Sequence, residues 1–296
     1  TTIDKYLYIS CRYLPPFFEH RLRLVYSKIE MCQHSSELDH PSVREVMKFL
    51  GIDNGLELHY DGDLPGRSGI GSSSAFTVGL LNALYAYQGK MISPHRLAME
   101  GIHIEQDIIK ETVGSQDQTN AAYGGFNKIQ FKQNGEIIVD PVIISYERIQ
   151  ALNNNLMLFY TGIIRIAEKV AKSYVNIIDE KEKQLLLMHS MVDEAIELIV
   201  NGNLDDFGYL LNDAWQQKRS LSKMVSNSQV DEIYASAINA GALGGKLSGA
   251  GGGGFLLLYV PVEKQPDVKQ KLSHLLHVPF NFEPNGSQII FHDLHK

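Results

Sequence analysis

Cysteine is scarce in this chain: Cys11 and Cys32 are the only two in 296 residues. That excludes a disulfide-stapled secreted scaffold, and their spacing gives no zinc site. The eleven histidines show no His-Glu-x-x-His or similar metal spacing. No apolar run approaches the roughly 18 residues that span a bilayer, and no signal peptide precedes the first strand-like segment, so a cytoplasmic, non-membrane protein is the expectation. Basic residues are in the minority, with 27 Lys and Arg against 34 Asp and Glu and a net charge of −7. This argues against a nucleic-acid surface, while a local basic patch could still serve an anionic small molecule. The tripeptide Gly-Lys-Ser/Thr is absent, which removes a Walker-type P-loop. Internal repeats and low-complexity tracts are missing as well.

What remains is an ordinary globular composition, 44% apolar and 21% charged, long enough for two modest domains. The first segment, Lys5 to Ser10, reads as a strand. A helix is expected over Pro41 to Leu50 with Gly51 as its stop, then a strand from Leu56 to Tyr60. Ser93-Pro94 opens a helix that runs to about Lys110. Residues 128–144 read as a hairpin about Asn134-Gly135. A strand from Leu156 to Tyr160 follows a polar stretch, and the domain boundary is placed there, giving domains 1–152 and 153–296. Helices are expected over 166–178, 182–200 and 204–224.

The most informative stretch is Leu64 to Phe76, LPGRSGIGSSSAF, running into an apolar helical pattern from Ala75 to about Tyr87. Gly66, Gly69 and Gly71 permit backbone angles closed to other residues, so that consecutive N–H groups can converge on one anion beside the positive end of the helix. Ser72, Ser73 and Ser74 place hydroxyls where a phosphate or its magnesium would lie. A flexible serine-glycine turn capping a helix has the same composition. The glycines of 69–71 resemble a dinucleotide fingerprint, but the second strand it requires is missing. Gly249 to Gly254 matches formally too, yet leads into the strand-like Phe255 to Val260, where that fold needs a helix.

Glu105 falls in an apolar stripe with Ala98, Ile102 and Ile109, so its carboxylate would be buried at a cost unless a cation or hydrogen bonds compensate it. A glutamate at the stripe's edge that reaches solvent fits the same spacing. Asp117, in Gly114-Ser115-Gln116-Asp117-Gln118, could orient or deprotonate a hydroxyl, or simply form an Asx turn. Asp61 and Asp63 read as turn residues. The run Gly244 to Gly254, which contains Lys246, Gly249 and Gly251, is costly to order, as expected where backbone approaches a ligand or another loop closely.

Three segments in this order, PGRSGIGSSSAF, GSQDQ with its following Gly124-Gly125, and GGKLSGAGGGG, resemble the galactokinase, homoserine kinase, mevalonate kinase and phosphomevalonate kinase (GHMP) superfamily. Within it the wording is most similar to the D-glycero-D-manno-heptose 7-phosphate kinases, on Ile3 to Tyr6, Gly69 to Ala75, Gln116 to Gln118, Tyr160-Thr161-Gly162 with Arg165, and Gly244 to Gly254. The resemblance implies a two-domain α/β (α+β) fold, an N-terminal ATP-binding domain followed by a ferredoxin-like C-terminal one. It further implies that Pro65, Gly66, Gly69, Ile70, Gly71, Ser72, Ser73 and Ser74 wrap the phosphates of ATP, that Ser73 and Glu105 hold Mg2+, and that Asp117 is the base. Arg165, Lys246, Gly249 and Gly251 would serve the sugar phosphate, Arg165 being equally readable as a solvated arginine. Family members normally begin with a strand and a glycine-rich, Asp-ending turn, and this chain starts after that point. The expectation is that the numbered sequence omits this segment. The activity implied is phosphorylation of the anomeric hydroxyl of a heptose 7-phosphate; another sugar kinase of the same fold and a non-catalytic nucleotide- or sugar-binding regulator are the alternatives.

Overall fold

The computed structural model describes residues 1–66, 68–163, 167–175 and 177–293, the side chains of 167 and 168 excepted. Two compact units emerge, one comprising Thr1–Gly66, Gly71–Ile129 and Phe282–Lys296, the other Arg67–Ile70 and Gln130–Asn281. One of its passages between them falls within the strand Asn127–Phe131, which leads into the turn at Gly135 (φ 85°) and the strand Ile137–Pro141. The expected boundary near residue 152 lies inside the second unit, close to the end of the helix Tyr146–Asn154.

The first unit is built on a four-stranded sheet in the order Leu7–Tyr13, Leu56–Gly62, Leu22–Val25, Ile29–Cys32. Leu22–Val25 runs parallel to Leu56–Gly62, and the outer pairs are antiparallel. Alternation decides what each face does. Leu22, Leu24, Leu56 and Leu58 point inward against Val43, Val46 and Met47 of the helix Pro41–Phe49 and Leu80, Leu81 and Leu84 of the helix Ser72–Tyr87. On the other face Glu57 is opposite both Arg12 and Arg23 in register and pairs with each of them. His59 Nε2 also lies 2.8 Å from Glu57, and these partners hold the Glu57 carboxyl below the usual carboxylate range, the His59 hydrogen bond most of all.

The helix Ser72–Tyr87 begins three residues earlier than its apolar pattern suggests, so Ser72, Ser73 and Ser74 form its first turn rather than the end of the loop. The pattern cannot register a polar first turn. The helix from Pro94 runs to about Lys110 as the sequence reading has it, but not as one uniform helix. It is α-helical over Pro94–His103, widens into a π-turn over Ile104–Ile108, and ends as Lys110 takes a left-handed φ of 65°. A π-turn adds a residue to the helical circuit, and such turns concentrate at functional sites.

In the second unit the strand order is Leu276–His277, Leu156–Tyr160, Phe255–Tyr259, Gly244–Leu247, every pair antiparallel. Numbered by position in the chain, that is 4-1-3-2, the ferredoxin-like arrangement. The sheet packs Met157, Phe159, Leu247, Leu256 and Leu258 against Trp215, Val230 and Tyr234 of the helices Leu204–Arg219 and Ser228–Asn239. The fold is thus mixed α and β, as expected. The helix expected over 204–224 stops at Arg219, where Ser220 caps it.

Candidate active site

In the first unit the glycine- and serine-rich loop returns at Gly71, whose φ of 79° makes it the left-handed N-cap of the helix Ser72–Tyr87. Gly69 has a φ of 80° and so also needs the freedom of glycine. Gly66 does not share this geometry: its φ is not in the left-handed range and a Cβ there would meet nothing within 4 Å. The sequence reading of Gly66 as a conformational necessity is corrected on that ground. With an N-cap that has no side chain, the first N–H groups of the helix are left unpaired by any cap, a geometry suited to an anion.

Two acidic side chains gather at this helix end. Asp117 lies in the first turn of the helix Gln116–Tyr123, and a Cβ built on Gly71 would sit 3.4 Å from its Cγ and 3.5 Å from its Oδ2. Glu105 is carried on the π-turn and is 1% exposed, so the buried reading of this residue holds. Ser74 Oγ donates to Glu105 Oε2 at 2.9 Å, and the Gln118 side-chain amide donates to the same oxygen. Burial pushes the Glu105 carboxyl above its usual range, against the nearby Thr77 hydroxyl and the hydrogen bonds from Ser74 and Gln118, while the nearby Asp117 charge pushes it the same way as burial. Its other oxygen, Oε1, is buried and without a hydrogen-bond partner.

A lone buried carboxylate oxygen is an expensive feature unless something cationic meets it. The donor set fits magnesium. That ion favours one or two carboxylates together with phosphate oxygens and water over an all-protein cage. Among the described residues no group of three or more His, Cys, Asp or Glu converges on one point, so a cation here would share its remaining positions with a phosphate ligand. Ser73 is the serine expected to hold magnesium with Glu105. Ser74 is the one that donates to Glu105, while Ser73 is exposed, because one residue along a helix turns the side chain by about 100° and the serines belong to the helix.

In the second unit the segment Gly244–Gly254 is confined by backbone on several sides. A Cβ on Gly244 would lie 2.0 Å from Gly208 O, on Gly245 2.3 Å from Leu257 O, on Gly251 2.5 Å from Val225 O and on Gly254 1.9 Å from Ser68 O. Close approach therefore explains the glycine run, and its Gly254 end holds the Ser68 tip of the phosphate loop. Lys246 lies in the strand Gly244–Leu247 opposite Leu257, and the Gly249 carbonyl accepts from Lys218. Arg165 lies outside the described residues. Sequence reasoning did not pick out Ser74 or Gln118 as hydrogen-bond partners of Glu105. Gln118 stood beside Asp117 in a segment already singled out, and a glutamine that becomes fully buried is the signal that only packing reveals.

The chain matches the family descriptions "GHMP kinases N terminal domain" over residues 41–125 and "GHMP kinases C terminal" over residues 195–276. It is 34% identical over 225 residues to the D-glycero-alpha-D-manno-heptose 7-phosphate kinase of Campylobacter jejuni, covering 75% of this chain and 66% of that protein. It is 27% identical to the bifunctional fucokinase/GDP-fucose pyrophosphorylase of Arabidopsis thaliana over 77% of this chain and 22% of that protein. The chain thus spans less than two thirds of the length of these relatives. In fold it resembles a D-glycero-D-manno-heptose 1-phosphate kinase from Bacteroides thetaiotaomicron, with a TM-score of 0.76, 20% identity, and coverage of 96% of this chain and 86% of that one. At that identity the likeness is one of fold.

Proposed function

The chain belongs to the GHMP kinase family, and from that premise we propose that it is an ATP-dependent sugar kinase that phosphorylates the anomeric hydroxyl of D-glycero-D-manno-heptose 7-phosphate. The observation that carries the chemistry is the meeting of Asp117 and the buried Glu105 cluster at the N-terminus of the helix Ser72–Tyr87. The heptose assignment rests on the 34% identity to the Campylobacter jejuni kinase.

In this reading the backbone N–H groups from Gly69 to Ser74 hold the phosphates of ATP at the positive end of the helix. Pro65 and Gly66 lead the chain into that loop. Glu105 Oε1, with Ser73 or Ser74, holds magnesium, which neutralises charge on the phosphate oxygens when bound. Asp117 accepts the hydrogen bond of the acceptor hydroxyl and takes its proton as the sugar oxygen bonds to the γ-phosphorus and the bond to ADP breaks. Gly244 to Gly254 fixes the tip of the phosphate loop through Ser68, and Lys246, Gly249, Gly251 and Arg165 serve the sugar phosphate.

The test is phosphate transfer from ATP with magnesium to a panel of heptose 7-phosphate, heptose 1-phosphate, fucose, galactose and mevalonate. Preference for heptose 7-phosphate by a factor of about 100 or more in kcat/KM is expected, since a site built for a phosphate discriminates strongly against acceptors lacking it. Preference for an unphosphorylated sugar moves the assignment to a sibling kinase. Tight ATP binding with no turnover of any acceptor favours a nucleotide-binding regulator.

A further inference from the structure

Glu105 is gripped from one side only. Both described donors, Ser74 Oγ and the Gln118 amide, meet Oε2, while Oε1 is equally buried and has no partner. Two donors on one oxygen fix the plane of a carboxylate and hence the direction of its other oxygen. Gln118 is itself well placed to do this. It is 0% exposed, and its Cβ and Cγ lie 3.7 and 3.8 Å from the point where Gly101 would carry a Cβ, ordinary packing distances, so the Gln118 side chain is packed alongside Gly101.

Gln118 also follows Asp117 directly. Successive helical side chains diverge by about 100°, so the first turn of one short helix can present Asp117 to Gly71 and Gln118 to Glu105 at once. A glutamine suits the task because its amide donates without adding charge. A lysine in its place would neutralise the carboxylate and compete with any cation.

Resting on the kinase reading above, we propose that Gln118 is a positioning residue: its Nε2 anchors Glu105 Oε2 and thereby aims Oε1 at the divalent cation of the metal–nucleotide complex. The helix that carries Asp117 thus also sets the metal-binding carboxylate. Gln118 touches neither the nucleotide nor the sugar, and acts only through Glu105.

The test is Mn2+ titration, followed by electron paramagnetic resonance, of the protein with the non-hydrolysable nucleotide β,γ-imido-ATP, comparing the parent with Gln118→Met. The variant keeps length and apolar bulk and lacks the donor. Mn2+ affinity is expected to fall roughly tenfold or more, the range found when a group that orients a metal ligand is removed. Metal-free nucleotide affinity and the KM for the sugar stay within about twofold, while the magnesium concentration needed for half-maximal rate rises in step with the Mn2+ result. Unchanged Mn2+ affinity in the folded variant overturns the proposal, as does an equal loss of metal-free nucleotide binding, which marks a general packing role. If Gln118→Met does not fold, Gln118→Asn, which withdraws the amide by one carbon, is read by the same criteria. Because Mn2+ binding is measured without any acceptor, a wrong sugar assignment leaves this result intact and appears only in the acceptor panel.

Discussion

Two regions of the molecule are shaped by opposite means. At the end of the helix Ser72–Tyr87, side chains define the geometry: a carboxylate 1% exposed, held by a fully buried glutamine and a serine that donate to the same oxygen. At Gly244–Gly254, it is the missing side chains that matter, because backbone carbonyls occupy the places where Cβ atoms would go. The first region carries a buried carboxylate, which costs stability when it is charged and unmatched. The second has no charge to satisfy and loses chain entropy instead. The two should therefore respond differently to substitution, the first in catalysis and metal use, the second in folding.

The largest effect is expected at Asp117. Asp117→Asn keeps the shape and removes the proton acceptor, so kcat should fall by about 10²–10⁴ while nucleotide affinity is retained. Equal activity in the variant would take Asp117 out of the mechanism and weaken the side-chain half of the contrast. Next comes Gly254→Ala. Its φ of 92° and the 1.9 Å approach of Ser68 O leave no room for a methyl group, so a destabilisation of about 2–4 kcal/mol is expected in denaturant unfolding. A normal unfolding midpoint would mean that the glycine run is slack rather than tight.

A smaller effect of opposite sign is expected at Glu105. Burial raises its carboxyl pKa above the ordinary 4.5, so the folded protein holds that proton more firmly than the unfolded chain. The stabilising contribution is full below the unfolded value and is lost as pH rises through the folded one, which leaves the charged group a cost at neutral pH. Glu105→Gln should accordingly stabilise the ligand-free protein at pH 7 by about 1 kcal/mol while lowering turnover, with the gain shrinking as the pH is taken down toward the ordinary carboxylate range. A lower melting temperature at pH 7 would contradict the view that this region sacrifices stability for function. The smallest effect belongs to Gly66→Ala, which meets open space and an ordinary backbone angle and should change stability by no more than about 0.5 kcal/mol. A large loss there would extend the tight-glycine rule to the whole phosphate loop.

How much of this was legible beforehand depended on the range of the interaction. The glycine and serine loop, the apolar helix behind it and the hairpin about Gly135 depend on residues close in sequence, and they formed close to where the pattern placed them. The stripe of Glu105 fitted both a buried carboxylate and one that reaches solvent, and packing decided for burial. Its hydrogen-bond partner was not legible, since which serine faces it turns on whether the serines are loop or helix, and a polar first turn leaves no periodic trace. The π-turn at Ile104–Ile108 was hidden for a related reason, because an inserted residue in a helical circuit has no composition of its own.

The amino-acid sequence by itself determined the mixed α and β organisation, the glycine- and serine-rich loop and the helix behind it, because local backbone preference and apolar periodicity are properties of neighbouring residues. Tertiary structure alone decided which serine meets Glu105, that Gln118 would hold one oxygen and leave the other open, and which glycines are compelled by contact. Those outcomes turn on distances between residues 13, 31 and 186 positions apart for Gln118–Glu105, Ser74–Glu105 and Gly254–Ser68, and only packing brings such residues within a few ångströms of one another.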